Sequence, residues 1–149
     1  MFFRRKEDKE KLKEMISNPA DLHNYSFGDV LTVKEILQKA LLIKGVSEAF
    51  LIGKDGLIIS SAGNNRHLME GLGSVICTNL EHFKEIADET GLGQLQGFEL
   101  NLKTGKVFYG IITEKLFYVV IGNNESHQDK VSFLMDGYKP AIKKFLSNY

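Results

Sequence analysis

Apolar and turn-forming residues alternate in the middle of this chain in a pattern that predicts a β-hairpin. Two apolar runs, 46–52 and 57–61, have the length of strands, and a Lys-Asp-Gly turn at 54–56 separates them. Asp and Gly tolerate the positive φ of a tight turn, so this composition favours a hairpin. The first run is apolar on both faces, with Val46 predicted on the same face as Phe50. Such a strand lies inside a sheet that is covered on both sides.

Helical spacing of apolar residues flanks the hairpin on both sides. Before it, Thr32 and Glu35 have the spacing of a capping box, and an apolar face follows as far as Gly45. After it, residues 65–90 form the longest helical pattern, which ends at a glycine. Asn79 lies in its apolar stripe and needs a hydrogen-bond partner there. The predicted core stripe of this long helix is Leu68, Leu72, Ile76, Leu80, Phe83 and Ala87.

Three further strands are predicted after the long helix, at 94–102, 106–113 and 116–122. The first of them alternates apolar and polar residues, which suits a strand at the edge of a sheet. The third is apolar on both faces, which suits a strand at the centre. The pattern therefore predicts a sheet of five strands.

A last helix is predicted over 126–149, where one apolar face continues through Pro140. Its start has the spacing of a second capping box, Ser126 with Asp129. We therefore expect one helix that is bent near the proline, because proline removes a backbone donor from the helix.

Composition narrows the class of protein. A chain of 149 residues has room for one domain with a proper core. The formal net charge is zero, so no electrostatic footprint suggests binding to nucleic acid. The single cysteine, Cys77, excludes an intrachain disulfide and fits a reducing compartment. No apolar run has the length of a signal peptide or membrane span, so we expect a cytoplasmic protein.

The first thirty residues differ from the remainder, so we predict a leader at 1–30 and a domain at 31–149. A charged helix is predicted over Arg4–Ser17, with a thin apolar stripe. Three interpretations remain open for it: a solvated leader, a helix that docks on a partner, or a weak membrane-surface helix led by two phenylalanines and three cations. Acidic residues in the same helix oppose binding to an anionic membrane.

Catalytic patterns are weak throughout the chain. The four histidines lack metal-ligand spacing, and Cys77 has no histidine one helical turn away. The Gly-Leu-Gly fragments at 71–73 and 91–93 do not follow a strand as a dinucleotide fingerprint does. We therefore expect no enzyme activity, no metal and no cofactor. The acidic residues on the outer side of the long helix form a solvated face or a stripe that faces a partner: Glu70, Glu81, Glu85 and Asp88.

Four segments of the chain resemble the roadblock/dynein light-chain family. They are the hairpin with its preceding helix, QKALLIKGVSEAFLIGKDGLIISSAG, then GLGSV in the long helix, GLGQL before the third strand and VVIGN before the last helix. The resemblance implies an α/β class and a roadblock-like (profilin-like) α/β/α sandwich. In that fold, a five-stranded antiparallel sheet has one long helix on one face and two helices on the other.

The resemblance also implies a function. Members of this family are not enzymes; they form homodimers and act as regulators or scaffolds for small Ras-like GTPases or motor complexes. We therefore expect a dimeric regulator of a small Ras-like GTPase. Two alternatives stay open at this point: a ligand-sensing α/β domain, and a structural subunit of a larger assembly.

Interface residues are expected on the long helix and on the strand that follows it. Gly71 and Gly73 each weaken the helix by about 1 kcal/mol relative to alanine, which suggests close approach of another backbone. The predicted subunit contact consists of Arg66, Met69, Gly73, Cys77, Lys84, Phe98 and Leu100. The predicted contacts to a protein partner are Arg66, Glu70 and Glu81.

Overall fold

The computed structural model describes residues 32–147, which fold around one antiparallel sheet of five strands. The strands are β1 (Val46–Gly53), β2 (Ile58–Ala62), β3 (Gly97–Asn101), β4 (Lys106–Thr113) and β5 (Leu116–Gly122). Their order in the sheet is β2-β1-β5-β4-β3. This confirms the five strands, the apolar strand at the centre and the alternating strand at an edge, although β3 is shorter than predicted. The predictions for the leader lie outside the described residues.

Three helices pack on the sheet: α1 (Val33–Ala40), α2 (Arg66–Thr90) and α3 (Gln128–Phe145). The backbone N–H of Glu35 donates to Thr32 Oγ1 over 3.2 Å, as the capping-box spacing predicts. At the start of α2, the N–H of Leu68 donates to Asn65 Oδ1 over 3.0 Å. Each cap satisfies a backbone donor that the first helical turn leaves free.

Two separate apolar cores lie on the two faces of the sheet. Side chains of α1 and α3 cover one face, where Tyr118, Leu134 and Tyr138 are among the buried residues. Side chains of α2 cover the other face, together with Phe50, Phe117 and others. The structure therefore confirms the predicted layers, with the long helix alone on one face and the two shorter helices on the other.

Two local predictions are wrong. A β-bulge between Val46 and Glu48 turns Val46 to the α1/α3 core, away from the face that holds Phe50. At the start of α3, the hydroxyl of Ser126 donates to the carbonyl of Asn123 over 2.6 Å, inside the preceding loop. Helix α3 begins after His127 without a side-chain cap and continues through Pro140 as one helix.

The edge formed by β2 is partly closed. Lys34 Nζ in α1 donates to the backbone oxygen of Ser61 over 2.7 Å. The Arg66 guanidinium donates to Ser61 Oγ over 3.1 Å. A break in register between Leu51 and Ile52 also interrupts the pairing of β2 with β1. Cationic side chains and bulges of this kind discourage a further strand from adding to an edge.

Candidate functional site

Helix α2 turns a narrow face to its own sheet. Its buried residues are Met69, Gly73, Ile76 and Leu80. A Cβ at Gly73 would lie 2.9 Å from the backbone oxygen of Gly56, so the helix and the hairpin turn touch there. The expectation that Met69 and Gly73 lie on a free face for a second copy is therefore wrong, because both belong to the core of this chain. The close backbone approach predicted from the glycines is intramolecular at Gly73.

The neighbouring side of α2 carries apolar residues that this chain covers only in part. Leu68, Val75 and Ile86 are 44%, 59% and 62% exposed, so each still presents apolar surface to solvent. The residues of this side, called the apolar flank below, are Leu68, Leu72, Val75, Asn79 and Ile86. They follow one another at helical spacings of four, three, four and seven. Among the predicted core residues, Ile76 and Leu80 are buried and Leu72 is partly buried against the same core. Leu68 is exposed, so the core face of α2 is rotated from the prediction towards Met69 and Gly73.

Asn79 is half-buried on the apolar flank. Its side-chain Nδ2 donates to the carbonyl of Val75, one turn earlier in the same helix, over 2.9 Å. This contact supplies the partner that the sequence pattern required. A carboxamide has two N–H donors and an acceptor oxygen, so one donor and the oxygen stay available for another group.

The edge strand β3 continues this apolar surface onto the sheet. Phe98 is stacked on Tyr109 with ring centroids 4.6 Å apart and lies at the same distance from Phe83 of α2. Leu100 lies two residues after Phe98 in the strand, so it points to the α2 side of the sheet. Leu102 directly follows the end of the strand. Leu100 and Leu102 are 42% and 60% exposed. Of the two interface residues predicted on β3, Phe98 is half-buried within the chain, and Leu100 faces solvent.

The opposite side of α2 is polar, and its charged groups are paired within the chain. Arg66 Nε lies 3.1 Å from Glu70 Oε1, and Lys84 Nζ lies 3.6 Å from Glu81 Oε1. The thiol of Cys77 donates to the carbonyl of Lys54 in the hairpin turn. The predicted interface residues Arg66, Cys77 and Lys84 thus line a polar side of the helix. Among the predicted partner contacts, Glu70 and Glu81 are exposed, as expected.

The C-terminal half of α2 is strongly acidic. Glu81, Glu85, Asp88 and Glu89 are all exposed, and the last turn contains no basic residue. Carboxylates at this end oppose the helix dipole, which favours cations near a C-terminus. The charge pattern thus slightly destabilises the isolated helix. Among residues 32–147, no group of three or more His, Cys, Asp or Glu side chains forms a metal site.

Two buried tyrosines lie on opposite faces of the sheet. Burial raises the pKa of Tyr109, on the α2 side, above its usual range. Burial, aided by the charge of Asp136, raises the pKa of Tyr118 to about 12, while a hydrogen bond with Ser132 opposes the shift. Both hydroxyls therefore stay protonated near neutral pH and act as structural groups.

Solved structures share the arrangement of strands and helices described above. A Roadblock/LC7 domain from Streptomyces avermitilis aligns with a TM-score of 0.70 over 77% of this chain and 98% of its own, at 13% identity. The chain has the roadblock fold. Myxococcus xanthus MglB has the same roadblock fold, with a TM-score of 0.68 over 84% of this chain and 100% of its own, at 17% identity.

A third solved structure with the roadblock fold is described as MglB with a tetrameric arrangement. Its TM-score is 0.68 over 76% of this chain and 87% of its own, at 15% identity. No protein-family model matches the chain, and no curated protein matches it. At these low sequence identities, the similarity shows a shared fold alone. Helices in the described part of the chain fall short of the length and apolar character needed to cross a membrane.

Proposed function

We propose that this protein is a non-enzymatic, dimeric regulator or scaffold for a small Ras-like GTPase. The observation that carries the proposal is the exposed apolar surface of the α2 flank, which lies beside the exposed Leu100 of β3 and Leu102 just after it. Monomeric proteins rarely leave contiguous apolar patches of this kind exposed, so such a patch marks an interaction surface. Because the chain resembles roadblock proteins, we expect this surface to take part in dimerisation and in regulating a GTPase.

The two halves of this surface suit a contact between identical copies. Strand β3 is an edge, and pairing with β3 of a second copy would satisfy its free backbone groups. The apolar flank lies on the same side, since Phe83 of α2 touches Phe98 of β3. A contact of this type is two-fold and self-complementary. The polar side of α2 that carries Arg66, Cys77 and Lys84 would then remain free.

That free side is our proposed platform for the GTPase. A dimer would present one such platform on each copy, with the Arg66–Glu70 pair and Glu81 as candidate contacts. A platform need not supply a catalytic group, because it changes the GTPase by binding one arrangement of its switch loops more tightly than another. The acidic half of α2 favours a basic surface on the partner. The MglB tetramer supports self-association in a protein of this fold.

The test is binding to the Ras-like GTPases of the same organism in GDP-bound and GTP-analogue-bound states. Single-turnover GTP hydrolysis is then measured with and without this protein. We expect binding to one GTPase with a preference for one nucleotide state, a changed rate, and no hydrolysis by this protein alone. Glu81→Lys should weaken binding by about tenfold or more, as expected for reversing a charge at an interface.

Glu114→Lys provides the matched control for the charge reversal. Glu114 is exposed in the turn between β4 and β5, outside the proposed platform. The variant changes the net charge by the same amount and should bind as the unmodified protein does. If the protein bound none of the GTPases in either nucleotide state, the proposed partner would be wrong. Equal loss in both variants would show that only overall charge matters.

A further inference from the structure

Helix α3 has an apolar residue on the side that faces away from the core. Phe133 lies two residues after Val131 and two before Met135, and two residues rotate an α-helix by about 200°. Val131 and Met135 are buried in the α1/α3 core, so Phe133 points to the outer side of the helix. Polar residues normally occupy this side of a surface helix. Because Phe133 is nevertheless half-buried, other atoms of the chain cover part of its ring.

The outer side of α3 continues from Phe133 to Gly137 and Pro140, at helical spacings of four and seven residues. Glycine weakens the interior of a helix, and its missing side chain lets another backbone pass close by. Proline has no N–H, so Pro140 cannot donate to the carbonyl of Asp136 in the usual helical bond. That oxygen can accept from a donor outside the helix. This side of α3 thus suits a segment of extended chain that crosses it.

The segment before α1 is the part of the chain in a position to cover this side. Among the described elements, α1 and β4 have the main contacts with α3, and both share its core. Phe27 and Tyr25 are five and seven residues before Thr32, the N-cap of α1. Five to seven extended residues span about 16–23 Å, which exceeds the 8–10 Å between neighbouring helix axes. Both aromatic residues can therefore reach the outer side of α3.

Charge and hydrophobicity also favour this segment as the occupant. Helices α1 and α3 together contain six lysines and three acidic residues. Residues 20–31 contain Asp21 and Asp29 and no lysine or arginine, so the segment and the two helices have opposite net charges. Tyr25 and Phe27 would expose large apolar surfaces to water if the segment were left uncovered.

We infer that residues 20–31 cross the outer side of α3 at Gly137 and place Tyr25 and Phe27 beside Phe133. The contact lies within one chain and depends neither on the proposed dimer nor on the GTPase. It covers α3 on the face of the molecule opposite α2. The chain before residue 20 is then held on this face, across the sheet from the proposed GTPase platform.

A tryptophan in the segment tests this contact in the full-length protein, because the unmodified chain contains no tryptophan. In Tyr25→Trp, and in Phe27→Trp as a second reporter, we expect blue-shifted emission and slower acrylamide quenching than in urea. Phe133→Ala removes the contacted ring, and Gly137→Leu fills the crossing point. Either change, added to each reporter, should shift the emission to the red and raise the quenching constant to the value measured in urea.

Phe145→Ala and Gly71→Leu are the matched controls. Phe145 is 42% exposed and lies at the end of the same helix. Gly71 lies inside α2, where an added Cβ would meet nothing within 4 Å. Each control repeats one of the test substitutions at a site away from the crossing, so the tryptophan signal should not change. Circular dichroism of every variant checks that the fold is retained.

Three results would overturn this inference. Both reporters could be quenched as fast in the folded protein as in urea, which would show that the segment is not docked. The test and control variants could behave alike, which would place the segment elsewhere on the molecule. The quenching could also rise on dilution, which would assign the covering segment to a second copy, because a contact within one chain does not depend on protein concentration.

Discussion

At the scale of single residues, two buried tyrosines differ in what their hydroxyls bind. Tyr118 hydrogen-bonds with Ser132 of α3. The hydroxyl of Tyr109 is buried and has no hydrogen-bond partner among the described residues. Its ring is stacked between Phe98 and Phe117, so the aromatic contacts hold it in place. A buried polar group without a partner costs about 1–3 kcal/mol of stability.

We therefore expect opposite effects from the same change at the two tyrosines. Tyr109→Phe keeps the stacked ring and removes the unpaired hydroxyl, so it should increase the free energy of unfolding by about 1 kcal/mol. Tyr118→Phe removes a hydrogen bond and should decrease the free energy of unfolding by a similar amount. Urea denaturation of the two variants measures both. A loss of stability in Tyr109→Phe would show that its hydroxyl has a stabilising partner.

Tyr118 also predicts a dependence of stability on alkaline pH. Its pKa is raised to about 12 in the fold, against about 10 in an unfolded chain. Between these values the unfolded state releases the proton and the folded state keeps it, so the free energy of unfolding falls as pH rises. We expect unmodified protein to lose about 2 kcal/mol more than Tyr118→Phe between pH 10 and pH 12. Parallel curves for the two proteins would contradict this.

Local sequence rules succeed here where a side chain has one available partner. Thr32 accepts from Glu35 N as its spacing predicts. Ser126 has the same spacing to Asp129 but donates to Asn123, which is nearer in the loop. Val46 changes faces because a bulge inserts one residue into β1, and alternation alone does not reveal a bulge. The predictions for Ser126 and Val46 fail because each depends on contacts that form only in the folded protein.

At the scale of elements, α2 contains two glycines with different surroundings. A Cβ at Gly73 would press on the backbone of Gly56, whereas a Cβ at Gly71 would meet nothing within 4 Å. Both glycines lie in one turn of the same helix, so their substitution separates the effect of packing from that of helix propensity.

Alanine at these two positions should shift stability in opposite directions. Gly71→Ala should raise the free energy of unfolding by up to about 1 kcal/mol, since alanine favours the helix and meets no neighbour. Gly73→Ala should lower it by about 1–3 kcal/mol, because the added methyl separates α2 from the hairpin turn. Thermal or urea unfolding measures the difference. Equal stabilisation by both would contradict the close contact at Gly56.

The rotation of α2 shows what periodicity leaves undetermined. Leu68, Leu72 and Val75 are apolar on one side, and Met69 and Ile76 are apolar on the next. A helix with two adjacent apolar sides has two ways to face a sheet. The contact between Gly73 and the hairpin turn decides between them, and it depends on tertiary packing. The sequence nevertheless contains the helical spacing of the exposed apolar residues of α2, and this spacing indicates a second interface.

At the scale of the whole molecule, the proposed dimer depends on the exposed Leu100 of the edge strand β3. Leu100→Asp should place a carboxylate in the subunit contact, and we expect the mass from light scattering to fall from twice 16.8 kDa to 16.8 kDa. Leu57→Asp is the matched control, because Leu57 is 68% exposed in the β1–β2 hairpin. That variant should remain a dimer. A dimer in both variants would place the contact elsewhere.

The partly closed edge of the sheet at β2 limits how many copies can associate by strand pairing. A protein that pairs only through β3 has one free strand edge, so its self-association stops at a dimer. The outer ends of that dimer are two copies of β2, where Lys34 already occupies the carbonyl of Ser61. A third copy would have to displace Lys34 from the β2 edge at which it adds. The side-chain contacts and the register break at β2 thus favour a dimer over a continuous sheet of many copies.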